Sequence, residues 1–192
     1  MAKKVEFKPD KPRSGLLSKL YLTQKQRQNL LKWVLYALLL LVLSVVQDVL
    51  LCKVRLFGAT TELVPCGIFL ICLLEGTETG CVFSLVASCL YLFSGSAAGN
   101  YVIVLLTVIA FVACMVRQSY FQAGFGAALF CTSGAMLLYE LGVFSIAAFF
   151  GQTYTGRIGV SLLTALYTTL AVPVLYPILR LISKIGGETW KE

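Results

Sequence analysis

Apolar residues fall along this chain in six long stretches, roughly 33–52, 62–74, 80–94, 100–116, 124–150 and 158–181, divided by short polar breaks. Gly80–Val116 carries no charge, and neither does Ile158–Leu179. About 20 apolar residues in a helix cross a bilayer core. The pattern therefore predicts an all-α integral membrane protein, a compact bundle of about six transmembrane helices over 33–182. A basic tail (1–32) precedes the bundle and a short one (183–192) follows it. No break between stretches is long enough to hold a second, soluble domain.

Segments two and three are short for full spans. Two readings stand: two thin, closely packed crossings, or a re-entrant hairpin with Glu75 and Glu78 at its tip. The fifth segment is long for one upright span, with Gly134 and Gly142 as places to bend and a start that can lie along the interface. In the sixth, Pro173 and Pro177 each remove a backbone donor and crowd the preceding turn. A kink is expected there, near the cytoplasmic end, with Gly186-Gly187 ending the helix.

Charge orients the bundle. Residues 1–32 hold nine Lys/Arg against Glu6 and Asp10, and positive charge beside a span stays cytoplasmic. An even number of crossings returns the C-terminus, with Arg180, Lys184 and Lys191, to the same side. Both termini are expected in the cytoplasm of a multi-pass protein. Some thirty polar residues precede the first span, unlike a signal peptide. Residues 16–33 mix apolar and basic positions, as in a helix lying on the anionic leaflet or in a simple topology-fixing tail. Residues 1–15, with Pro9, Pro12 and Gly15, read as disordered.

Composition narrows the chemistry. Mean hydropathy is +0.85 and charged residues are 13%. There is no histidine, which removes imidazole bases and most zinc sites. No nucleotide-binding or nucleophile-elbow motif occurs. Seven cysteines lie in or beside apolar segments without CxxC spacing, as small apolar packing residues do. No enzyme, cofactor, metal or nucleic-acid role is expected.

Polar residues inside apolar stretches carry the remaining signal. Gln47 and Asp48 close the first span, and Glu140 sits mid-segment in the fifth, beside Tyr139. A charge at a helix centre is costly, about 2.5–3.5 kcal/mol on insertion scales. Glu140 is either an ion, proton or substrate contact, or a structural hydrogen-bonding group paired with Tyr139, Thr132 or Gln47. Glu62, Glu75 and Glu78 complete the candidate partner contacts. Small residues recur at helical spacing: Gly80, Ser84 and Ser88 in one stripe, Ala123, Ala127, Cys131 and Ala135 in another, and Gly76/Gly80 as a GxxxG pair. Such stripes let helix backbones approach closely, within the bundle or against another protein's helix.

The order of these features resembles the rod shape-determining protein MreD family. The similar parts are the basic tail and first span, then Arg55-Leu-Phe-Gly58 before Thr61-Glu-Leu-Val64. They continue with Leu73-Leu-Glu-Gly76, the Gly80 stripe, Leu92-Phe-Ser-Gly95 and Gly99. Last come Leu137-Leu-Tyr-Glu-Leu141, and a final span reading Leu166-Tyr, Pro173-Val-Leu-Tyr176 and Leu179-Arg180. Thr61-Glu62 stands where the family often has Pro-Asp, and Tyr91 where it often has aspartate, as in a divergent member. The resemblance implies a non-enzymatic subunit of the bacterial cytoplasmic membrane. Its partners would be an MreC-like scaffold and the RodA/penicillin-binding protein synthase pair, and its task to organise lateral peptidoglycan synthesis. It also implies an architecture similar to the S components of energy-coupling factor transporters. A substrate-binding vitamin-transporter subunit is therefore the alternative function.

Overall fold

The structure, a computed structural model, describes residues 24–53, 58–121 and 124–185. These form seven α-helices: α1 (Gln24–Val49), α2 (Leu63–Glu75), α3 (Thr77–Phe93), α4 (Tyr101–Tyr120), α5 (Phe125–Phe149), α6 (Ile158–Thr169) and α7 (Val172–Ile185). The first 23 residues, residues 54–57 with Arg55, Gln122 and Ala123, and the tail from Gly186 lie outside the described residues.

Side-chain contacts fix the direction of each helix. At one end, here called basal, Lys32 of α1 meets Glu75 of α2, and Trp33 packs on Phe83 of α3 at 5.3 Å between ring centroids. At the distal end Gln47 reaches the first turn of α2 and Asp48 meets Ser96, just past α3. Thus α1 and α3 run parallel, with α2 antiparallel between them. Gln118 of α4 returns to Thr77 at the basal end. Phe125 at the start of α5 stacks edge-on against Tyr176 of α7, and Ser183 near the end of α7 lies beside Tyr36. The start of α1 and the end of α7 therefore share the basal end.

The sequence of α2, Leu-Val-Pro-Cys-Gly-Ile-Phe-Leu-Ile-Cys-Leu-Leu-Glu, is apolar all round. A helix of that kind belongs in an interior. Every residue from Val64 to Leu73 is buried, and α1, α3, α4, α5 and α7 pack around it. This is the core of the protein. The other helices bury one stripe and leave large apolar side chains such as Leu38, Leu41, Val104 and Phe130 exposed, as lipid contact requires.

Three helices, α1, α4 and α5, are long and apolar enough to cross a membrane, and α6 with α7, bent by 47°, makes a fourth when the two are taken as one broken span. The protein is membrane-embedded. The expectation of six spans is not reached by length and composition. The 13 residues of α2 and 17 of α3 give about 20 and 26 Å at 1.5 Å per residue, short of a hydrocarbon core of about 30 Å. Hydropathy alone misleads for α2, because its apolar surface faces protein rather than lipid.

Other expectations shift for local reasons. The α1 helix begins at Gln24, so the second half of the mixed 16–33 segment extends α1 instead of forming a separate surface helix. The fifth segment runs as one helix through Gly134 and Gly142. A Cβ on Gly142 would lie 2.8 Å from Leu105 Cδ1 of α4, so that glycine serves contact. The break in the last segment falls at Leu170–Ala171, midway rather than near its end. A proline ring clashes with the carbonyl four residues back. For Pro173 that residue is Thr169, where α6 stops. Pro177 lies inside α7.

Candidate functional site

At the basal end, Lys32 and Tyr36 stand one helical turn apart on α1, so both side chains reach the same point of α2. Lys32 Nζ donates to Glu75 Oε2, and the Tyr36 hydroxyl donates to Glu75 Oε1 at 2.7 Å. Lys32 is 5% exposed and its ammonium also lies 5.6 Å from the Trp33 ring centroid. Both carboxylate oxygens are thereby satisfied. Glu75 belongs to this buried pair, and the neighbouring Glu78 is exposed. Lys32 counts by sequence as a topology-fixing charge; its partner, 43 residues away, is not legible in the chain.

Immediately after Glu75, Gly76 forms the α2–α3 turn at φ +91°, a left-handed conformation that favours glycine. It is a turn residue, so the Gly76/Gly80 pair does not form one helix face. Gly80, Ser84 and Ser88 are buried on α3, and a Cβ on Gly80 would lie 2.8 Å from the backbone oxygen of Cys72. On α5, Ala135 and Cys131 are buried and Ala127 is half-buried; Ala123 lies outside the described residues. Cys72 and Cys114 bring their sulfurs to 3.2 Å between α2 and α4. Among the described residues no three potential ligands gather to hold a metal.

The distal end is built differently. A buried helix N-terminus leaves backbone donors without intrahelical partners, and α2 begins inside the bundle with no cap from its own side chains. Other helices supply acceptors. Gln47 Oε1 of α1 accepts from Val64 N at 3.0 Å, Thr168 Oγ1 of α6 accepts from Glu62 N at 3.1 Å, and Pro65 has no N–H to satisfy. Gln47 Nε2 also points to the Tyr91 hydroxyl at 3.5 Å. Asp48 accepts from Ser96 Oγ at 2.8 Å, and Ser94 Oγ lies 3.2 Å from Ser96 Oγ.

Glu62, Tyr91, Tyr139 and Glu140 face one another within this cluster: Glu62 lies against Tyr139 and within electrostatic reach of Glu140 and Tyr91. Glu140 is 6% exposed. Glu62 Oε2 and Glu140 Oε1 are buried without a hydrogen-bond partner among the described residues. The donors expected for Glu140 are engaged elsewhere. Thr132 donates to Ala128 O, Gln47 Nε2 points to the Tyr91 hydroxyl, and Tyr139 turns to Glu62.

Five of the seven partner-contact candidates, Gln47, Asp48, Glu62, Tyr139 and Glu140, thus gather at the distal end, and Glu75 and Glu78 lie at the other. Sequence reasoning missed Tyr36, Lys32 and Thr168 as members of these networks. Tyr91 carried a signal, its departure from the family pattern. No protein-family model, curated protein or solved structure matches the chain.

Proposed function

We propose that this protein is a non-enzymatic membrane subunit that docks other membrane proteins, working as a divergent MreD-like member of the bacterial elongation complex. One observation carries the reading. Three short segments on which the resemblance rests meet in the distal cluster although they are far apart in the chain. Thr61–Val64 brings Glu62, Leu92–Gly95 brings Ser94, and Leu137–Leu141 brings Tyr139 and Glu140; Thr168 joins them from the last span. The two departures from the family pattern, at Glu62 and Tyr91, also lie together, as a coupled replacement would. In this reading α2 and α3 complete six passes in a locally thinned bilayer, the basal end with its basic tail faces the cytoplasm, and the membrane is the bacterial inner membrane.

A second reading has its own support. Two buried carboxyl oxygens without partners, close to the distal loops, suit a substrate-binding subunit of an energy-coupling factor type transporter. A mild-detergent pull-down of the tagged native protein separates the two. Recovery of an MreC-like scaffold, a RodA-like protein or a class B penicillin-binding protein is the expected result. Recovery of an ATP-binding cassette pair with a coupling subunit would replace the first reading with the second.

A further inference from the structure

The helices α1 and α3 each pack on α2 but scarcely touch one another. Basally they are clasped by Trp33, Tyr36 and Phe83. Beyond that clasp they part, leaving an almost wholly apolar groove of about 660 Å³ that runs from Val34 to Ser44 on α1 and from Phe83 to Ser94 on α3. Ten residues of α1 make it about 15 Å long. Each wall holds two small residues seven positions apart, Ala37 and Ser44 on α1, Ala87 and Ser94 on α3. Seven residues return to the same helix face, and small residues there admit a neighbouring backbone. An acyl chain gains nothing from that register; a helix does.

Charge marks the distal end of the groove. Asp48 is one helical turn beyond Ser44, exposed, and held in place by Ser96. No cation pairs with it among the described residues. We infer that the α1/α3 groove receives one transmembrane helix of a partner protein, which carries a Lys or Arg at the level of Asp48. This inference rests on the docking reading above and names its surface.

The test uses the full chain co-expressed with the full-length scaffold partner proposed above. A photo-crosslinking residue is placed at Ala37 or Leu90 in the groove, or at Val108 on the exposed face of α4. Adducts at 37 and 90 with the partner's membrane helix, and none at 108, are expected. Ala37→Trp, which fills the groove from an exposed position, should lower partner recovery at least tenfold, and Val108→Trp should not. Asp48→Lys should lower it several-fold. If the partner co-purifies but the groove positions label only lipid, the groove assignment falls and the docking reading stands. If no membrane partner co-purifies, that reading fails and takes the groove with it.

Discussion

The two polar ends of this bundle handle buried carboxylates in opposite ways. Basally, Glu75 has an ammonium on one oxygen and a phenol on the other. Distally, Glu62 and Glu140 each keep an oxygen with no hydrogen-bond partner, and no cation pairs with either, among the described residues. A satisfied buried pair serves the fold that holds it. An unsatisfied one costs stability, and such costs are tolerated where a site has a task besides folding. The basal carboxylate is satisfied within the fold, and the distal pair carries a cost that the proposed docking role would explain.

The largest effect should come from breaking the basal pair. Removing one member of a buried ion pair leaves the other uncompensated, at about 3–5 kcal/mol. Lys32→Ala or Glu75→Ala should lower the unfolding temperature in detergent sharply and reduce accumulation in membranes. The double change Lys32→Met with Glu75→Leu should recover most of that loss, because no charge is then stranded. Equal damage from the double variant would mean that the pair does more than compensate charge.

Next in size is the turn beside it. Gly80→Ala would bring a Cβ against the backbone of Cys72, which moves only if α2 and α3 separate. Overpacking of this kind costs about 1–3 kcal/mol. Gly134→Ala on α5, where a Cβ meets nothing within 4 Å, is the control and should be neutral or slightly stabilising in the same unfolding assay. A tolerated Gly80→Ala would show that the basal hairpin is looser than its geometry.

How much of this was legible in the sequence differs by end. The helices announce themselves through unbroken apolar runs, and five of the six stretches become one helix each, with ends shifted by a few residues except where α1 starts early. Depth is not legible. Leu63–Glu75 has the hydropathy of a span, yet its apolar surface is covered by other helices, and a one-dimensional pattern does not distinguish lipid from protein as the apolar neighbour. Individual polar residues such as Gln47 and Glu140 stand out because they are costly in an apolar run. Their surroundings do not: Thr168, which accepts from Glu62 N, joins that cluster only through the folded arrangement. Lys32 illustrates the same limit from the other side. Charge counting assigns it to the tail, whereas its position one turn before Tyr36 puts it on the buried face of α1.

The distal pair should be gentler to change. Among the described residues neither Glu62 nor Glu140 has a cation to lose, and Gln keeps the shape and hydrogen-bonding capacity of each. Glu140→Gln is expected within about 1 kcal/mol of the parent, near the net worth of one hydrogen bond, and to accumulate normally. Glu140→Leu, which puts an apolar side chain beside Glu62 and two tyrosines, should accumulate less. Measuring partner recovery beside accumulation sharpens the contrast between the ends. A Gln variant that accumulates fully and loses its partners would make the carboxyl itself the functional group.

The smallest effect concerns the break that separates α6 from α7. Pro173 prevents the helix from running on past Thr169, but it is not alone in shaping the turn. Ala171 N bonds to Thr168 O at 3.0 Å, and Val174 N and Leu175 N both return to Ala171 O at 3.1 and 3.0 Å, so the turn keeps its hydrogen bonds without the ring. Thr168, at the same break, holds the N-terminus of α2, which ties the bend to the distal cluster. Pro173→Ala should therefore change stability by less than about 1 kcal/mol, the lost rigidity of the unfolded chain being the main term. Spin labels placed at exposed Leu166 and Leu181 would report whether the 47° bend persists. A straightened α6–α7 rod would shift their separation and pull Thr168 from Glu62. The distal end would then depend on one proline and no longer on the packing of five helices.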